Sequence, residues 1–158
     1  KNDIVNELKR FIENKYMIDT ILSTEELNMI LSNSIPSILD KIWNSIDLLR
    51  DDLNADNYKI GRMSQSQRYY GFYVSFKRGE AWIGYAHNIW KLTNKPFIIQ
   101  VNIGEHDNTA SELKKLEFKF DSELGYLFIM GIETEDIHTE IYKKIQKVII
   151  KLSEIYDN

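Results

Sequence analysis

The chain has 158 residues, a formal net charge of −4 at pH 7 and no cysteine. A chain of this length predicts a single domain, 1–158, whose core needs no disulfide or structural metal. Without cysteine there are no disulfides, thiolate metal sites or cysteine nucleophiles, and a reducing compartment such as the cytoplasm is favoured. The longest apolar runs, 97–101 and 124–132, have the length of strands, so we expect no membrane-spanning segment.

The first third of the chain, 1–56, has the apolar periodicity of helices. A capping-box pattern, Ser23 with Glu26, precedes one of them. Ser34 and Pro36 predict the start of a longer helix, because the first turn of a helix does not use the N–H that proline lacks. The apolar stripe of this helix consists of Ile35, Ile38, Leu39, Ile42, Trp43, Ile46, Leu49 and Leu53.

Residues 54–67 are polar and have neither the helical nor the strand period, so we expect a connector there. An alternation rich in aromatic side chains then predicts a strand at 69–76, a turn at 77–80 and a partner strand at 81–86. Further strands are expected at 96–101, 116–120 and 126–132, and short helices at 88–93 and 111–115.

The last helix, 134–156, has the clearest end signals. Thr134 is a suitable cap, acidic residues follow in the first turn, and lysines lie later, as the helix dipole favours. Short turns between most strands favour antiparallel pairing. The sequence therefore predicts an α+β domain with N-terminal helices (1–56), a roughly five-stranded, mainly antiparallel sheet (68–132) and a long C-terminal helix. We expect all its helices to cover one face of the sheet.

The charges are distributed unevenly along the chain. Residues 57–100 carry seven basic and one acidic side chain, a net charge of +6, whereas the segments before and after them each carry −5. Cations neutralise phosphates and aromatic rings stack on bases, so basic residues interleaved with tyrosines are suited to DNA or RNA. The opposing interpretation is an exposed hairpin whose charges prevent edge aggregation. The candidate nucleic-acid-binding residues are Arg62, Arg68, Tyr69, Tyr73, Lys77 and Arg78.

Metal sites and catalytic motifs are weakly indicated. No histidine lies three or four residues from another, and His106, between Glu105 and Asp107, fits a solvated loop. The sequence contains no G-x-S-x-G, P-loop or dinucleotide-binding glycine pattern. We therefore assign no metal, no cofactor and no catalytic residue.

Two patterns are shared with nucleases. The tripeptides GFY at 71–73 and WIG at 82–84 resemble the paired tripeptides of GIY-YIG endonucleases, but the arginine and glutamate of that family have no counterpart here. Glu117 and Lys119 have the E-x-K spacing of PD-(D/E)XK nucleases, with Asp107 as a candidate upstream acid. Any solvent-facing strand also shows this spacing, so a small metal-dependent nuclease is kept only as an alternative.

Residues 68–101, RYYGFYVSFKRGEAWIGYAHNIWKLTNKPFIIQV, resemble a module found behind the catalytic core in some bacterial PD-(D/E)XK-type nuclease and phage-defence proteins. The preceding stretch, IPSILDKIWNSIDLL, is similar to the helical connector of such chains. The resemblance implies a non-catalytic accessory domain with a nuclease core upstream, and it carries no catalytic residue onto this sequence.

The leading expectation is an accessory domain of a bacterial nuclease or defence protein that contacts DNA or RNA through a basic aromatic hairpin. Because residue 1 is lysine, we expect the chain to be part of a longer protein. Its other partner would be an upstream nuclease domain or another protein. The main alternative is a protein-interaction or oligomerisation domain that uses the N-terminal helices or an open sheet edge.

Overall fold

A computed structural model describes residues 35–66, 68–131 and 137–157. The chain divides into two compact units, Lys1–Lys41 and Ile42–Asn158. The helices expected before residue 35 and the cap expected at Thr134 lie outside the described residues. The features below belong to the second unit, except for the first seven residues of one helix that begins in the first.

Four helices and six strands are described. The helices are α1 (Ile35–Ala55), α2 (His87–Thr93), α3 (Ala110–Lys115) and α4 (Ile137–Asp157). The strands are β1 (Lys59–Ser66), β2 (Tyr69–Ser75), β3 (Glu80–Ala86), β4 (Phe97–Val101), β5 (Lys119–Asp121) and β6 (Gly125–Met130).

The six strands form one sheet in the order β1-β2-β3-β4-β6-β5, and every neighbouring pair is antiparallel. The α+β class, the antiparallel pairing and the long C-terminal helix are thereby confirmed. The expected number of five strands is wrong, because the segment interpreted as a connector forms β1. That strand is polar, and its register shifts between Ile60 and Met63, so it has no continuous alternation in sequence.

The strand expected at 116–120 is also shorter than predicted. After α3 the backbone of Glu117 takes a left-handed conformation with φ of 66°, and the N–H of Phe118 donates to the carbonyl of Leu113 at 3.1 Å. These residues therefore close the C-terminal end of α3, as a left-handed residue commonly does. Only Lys119–Asp121 remains to pair with β6.

One face of the sheet packs against the long helices. On β2 this face carries Tyr70, Phe72 and Val74, because alternate residues of a strand share a side. The Tyr70 ring stacks on Trp43 of α1 at a centroid distance of 5.1 Å, and Phe76 stacks on Tyr156 of α4 at 5.8 Å. Fully buried aliphatic and aromatic residues from both layers make this the main core, among them Ile46, Leu53, Phe72, Val74, Ile83, Ile99, Tyr126, Ile145 and Leu152.

Polar contacts join the end of α1 to the start of α4. The imidazole Nε2 of His138 lies 2.8 Å from the Asp52 carboxylate, and the Tyr142 hydroxyl donates to Asp56 at 2.8 Å. They connect residues that are 86 positions apart in the chain. None of the helices within the described ranges is long and apolar enough to cross a membrane.

Candidate nucleic-acid interface

The opposite face of the sheet carries a second, smaller apolar cluster. Trp82 and Ala86 of β3, Ile98 of β4 and Leu127 of β6 are buried in it together with Ile89 of α2. Tyr73, Leu124 and Ile129 pack against its border and are partly buried. The short helix α2 therefore contributes to this face, so the expectation that the helices cover a single face is wrong for α2.

A pair of glycines lets the Trp82 side chain lie flat on the sheet. Gly71 and Gly84 are direct partners across β2 and β3. A Cβ on Gly71 would lie 2.6 Å from Cζ2 of Trp82, and a Cβ on Gly84 would lie 2.8 Å from its Cη2. The same Cβ atoms would lie closer still to the backbone carbonyl oxygens of Ile83 and Tyr70, so the close approach of the two strands also excludes a side chain at either position. The strand contact and the indole together account for both glycines of the two tripeptides that resemble those of GIY-YIG endonucleases.

A β-bulge directs an arginine onto the same face. Ile60 pairs with Val74 and Met63 with Phe72, so Gly61 and Arg62 together lie opposite Tyr73. The guanidinium carbon of Arg62 lies over the Tyr73 ring, 5.1 Å from its centroid, at the distance of a cation–π contact. Bulges commonly re-aim a side chain in this way beside functional sites.

Tyr69 extends the row of aromatic rings toward the end of β2. It is 42% exposed, more than any other aromatic residue described. Its ring packs edge-to-face with Trp82 at a centroid distance of 6.4 Å and an angle of 83°. We call Tyr69, Tyr73 and Trp82 the aromatic face. Trp82 is only 7% exposed, so it forms the floor, whereas the two tyrosines border it.

Basic and hydroxyl side chains line the aromatic face along β1. Lys59 pairs with Ser75, Ser64 with Gly71 and Ser66 with Tyr69, and paired residues share a side of the sheet. Arg68 follows in the turn to β2, where it is exposed. We call Lys59, Arg62 and Arg68 the basic rim.

The structure separates the six residues that the sequence proposed. Arg62, Arg68, Tyr69 and Tyr73 lie together, at or next to the aromatic face. Lys77 and Arg78 lie in the turn at the other end of β2, where Lys77 is about 26 Å from Tyr69 and about 13 Å from Tyr73 at the rise of an extended strand.

Both residues of that turn contact the last turn of α4. Nη2 of Arg78 donates to the carbonyl of Ile155 at 3.0 Å, and Nζ of Lys77 donates to the carbonyl of Asp157 at 3.0 Å. Unpaired carbonyls and the negative end of the helix dipole favour cations at this place. Capping of α4 is therefore a sufficient structural reason for both charges.

Two residues outside the six candidates also lie on this side of the sheet. Strand register, which cannot be read from composition, places there Lys59, at the start of the basic stretch of the sequence, and Trp82. At the Arg68 end of β2, the backbone N–H of His87 donates to the Arg68 carbonyl at 2.8 Å, but the imidazole Nδ1 of His87 lies 3.0 Å from the hydroxyl of Tyr85, whose side chain is on the helix-covered face of the sheet. Burial raises the pKa of Tyr85 from its ordinary value of 10 to about 12.

Glu117, Lys119 and Asp107, the candidate residues of a metal-dependent nuclease, do not share one strand, and Asp107 is hydrogen-bonded to a neighbouring residue. Glu117 lies outside the strand that contains Lys119. The Asp107 carboxylate accepts hydrogen bonds from the N–H and the hydroxyl of Thr109 at 2.8 and 2.6 Å, and these bonds lower the pKa of Asp107. Within residues 35–66, 68–131 and 137–157, no group of three or more histidine or acidic side chains could hold a metal ion.

No protein-family model, curated protein or solved structure matches the chain.

Proposed function

We propose that the chain is a non-catalytic accessory domain that contacts nucleic acid through the aromatic face and the basic rim. The observation that carries the proposal is the Arg62–Tyr73 pair at 5.1 Å, next to the exposed ring of Tyr69. Arginine neutralises phosphate, and tyrosine offers a flat ring on which a base can stack. A bacterial nuclease or defence protein is the proposed setting, on the resemblance of residues 68–101 alone.

The charge of this region supports an anionic ligand. Glu80 is the only acidic residue between positions 57 and 100, and it lies at the end of β3 that is remote from Tyr69. Lys77 and Arg78 are left out of the proposed interface because they cap α4. The proposal thus assigns Arg62 and Arg68 to the ligand and Lys77 and Arg78 to stability.

A direct test is a fluorescence anisotropy titration of labelled DNA and RNA oligonucleotides at low and moderate salt. We expect binding that weakens steeply with salt, because phosphate contacts release counterions. The double variant Arg62→Ala/Arg68→Ala should weaken binding and reduce the salt slope by about 1.5, the loss expected for two phosphate contacts. The matched control is Lys77→Ala/Arg78→Ala, which removes the same charge and should leave affinity nearly unchanged. No binding at low salt would refute the proposal.

A second candidate function is a protein-interaction domain, and one observation favours it. Leu92 of α2 is 79% exposed, while Ile89 on the same short helix packs into the apolar cluster beside the aromatic face. An exposed leucine next to aromatic residues is suited to a protein partner. Light scattering over a range of concentrations, with Leu92→Ser as the comparison, tests self-association through this surface.

A further inference from the structure

The three strands at the β1 side of the sheet contribute different chemistry to the aromatic face. β1 provides the cations and hydroxyls of Lys59, Arg62, Ser64 and Ser66, β2 provides Tyr69 and Tyr73, and β3 provides the Trp82 floor. Each type of side chain is therefore arranged as a strip along one strand. A ligand with a charged backbone on one side and flat rings on the other matches this order.

The separation of the two tyrosines restricts the form of that ligand. Tyr69 and Tyr73 are four residues apart on β2, so their Cα atoms are about 13 Å apart at the rise of an extended strand. Bases stacked as in a duplex follow each other at about 3.4 Å and keep their faces covered. Two bases that stack on Tyr69 and Tyr73 must instead belong to an unstacked, extended strand with at least one nucleotide between them.

From this geometry we infer that the ligand is an extended single strand that runs along β2, with its sugar–phosphate backbone over β1 and its bases over β2. The inference rests on the proposed function and specifies its substrate class. Stacking on a tyrosine ring accepts every base, so the binding is tolerant of sequence. DNA and RNA share this chemistry.

Arg62 has two roles in this arrangement. Without a ligand its guanidinium covers the Tyr73 ring. When a base stacks on Tyr73, the guanidinium moves aside or shares the ring, and its charge becomes available to the adjacent phosphate. A lysine keeps the charge but not the planar stacking group. Arg62→Lys should therefore retain more affinity than Arg62→Ala and less than the wild-type protein.

Charges of both signs flank β2 at the end near the β2–β3 turn. Lys59 of β1 and Glu80 of β3 both pair with Ser75, on the same side as the aromatic face, so Lys59 attracts phosphate there while the Glu80 carboxylate repels it. Replacing Glu80 with Gln removes this repulsion, so the variant should bind a longer oligonucleotide more tightly than the wild-type protein does. Affinity for an oligonucleotide that covers only Tyr69 to Tyr73 should change less.

The experiment measures anisotropy with labelled dT12, U12 and a 12-base-pair DNA duplex at one salt concentration. We expect the single strands to bind at least tenfold more tightly than the duplex. Tyr69→Ala and Tyr73→Ala should each weaken single-strand binding by about 5- to 150-fold, the loss of one base–aromatic stack, and leave duplex binding unchanged. Tyr69→Phe and Tyr73→Phe are the matched controls, since they keep the ring and should bind like the wild-type protein.

The outcomes separate this inference from the proposed function. Equal binding of duplex and single strand, with no effect of the tyrosine variants but a loss in Arg62→Ala/Arg68→Ala, overturns the inference and leaves the proposed function in place. Absence of binding to all three oligonucleotides overturns both. Binding of dT12 alone or U12 alone supports the inference and identifies the natural strand. Tyr73 packs against the apolar cluster, so Tyr73→Ala could fail to fold. In that case the binding of Tyr69→Ala, which changes an exposed position, tests the stacking of bases on the tyrosines.

Discussion

The backbone N–H of Lys77 donates to the carboxylate of Asp157 at 2.7 Å, although the two residues are 80 positions apart in the chain. Ser153 donates its hydroxyl to the same carboxylate at 2.6 Å. The turn between β2 and β3 is thereby held against the last turn of α4. The sequence alone associates the basic residues Lys77 and Arg78 with ligand binding. In the structure they donate hydrogen bonds to the last turn of α4.

Arg78→Ala should reduce stability without affecting nucleic-acid affinity. The guanidinium donates to the carbonyls of Ile155 and Tyr156 at 3.0 and 3.4 Å. Its loss should lower the free energy of unfolding by about 0.3–1 kcal/mol, the usual contribution of a cation at a helix C-terminus. Urea denaturation measures the change. Lys147→Ala, at an exposed position in the middle of α4, is the control and should change stability little.

Asp157 should make the stability depend on pH in the acid range. Hydrogen bonds from the Lys77 N–H and the Ser153 hydroxyl lower the pKa of Asp157 below its ordinary value of 3.8. A lowered pKa in the folded state means that the stabilisation is complete above pH 3.8 and is lost as the pH falls through the lowered value. Asp157→Asn should therefore be less stable than the wild-type protein at pH 7, and the difference should shrink toward pH 3. A difference that stays constant over this range would contradict the prediction.

Alanine at Gly71 or Gly84 should be strongly destabilising. Each new Cβ would clash with the Trp82 indole and with the backbone of the neighbouring strand. Forced overpacking of a buried site costs about 1–3 kcal/mol, and we expect values at the upper end. Thermal or urea denaturation measures the loss. Gly104→Ala is the matched control, because no atom of the described residues lies within 4 Å of a Cβ at that position, and its stability should equal or slightly exceed that of the wild-type protein.

The contact between His138 and Asp52 should be detectable in a double-mutant cycle. The two side chains are 2.8 Å apart and partly exposed, which places the contact among hydrogen bonds of moderate strength. We expect His138→Ala and Asp52→Ala to be coupled by about 0.5–1 kcal/mol in the free energy of unfolding. Strictly additive effects would show that the contact does not stabilise the fold. His106→Ala, in an exposed loop, should be neutral.

Sequence patterns predicted most of the described elements, because their apolar residues follow a clear period. The stripe from Ile42 to Leu53 predicted α1, and the alternation after Tyr69 predicted β2 and β3. The β1 strand was missed for a physical reason. The bulge at Gly61 and Arg62 interrupts the alternation of side chains between the two faces of the sheet. Because β1 is a polar strand at the edge of the sheet, it also lacks a run of apolar residues that would indicate a strand.

The candidate site was predictable in part. Composition identified the basic and aromatic segment, and four of its six residues lie together in the structure. The remaining two, Lys77 and Arg78, could not be assigned from sequence, because their partners lie on α4 almost eighty positions later. Trp82 was missed as the floor of the face because its role depends on the register that brings Gly71 opposite Gly84.

The strand order has a consequence for how the chain folds. Strands β1 to β4 pair in the order in which they occur, and the first two connections contain only residues 67–68 and 76–79. Among the six strands that the structure describes, only the pairing of β4 with β6 passes over an intervening strand. Short loops lose little conformational entropy when they close, so nearby pairings form more readily than distant ones. The surface that we propose for the ligand is thus formed by the part of the sheet that can assemble first.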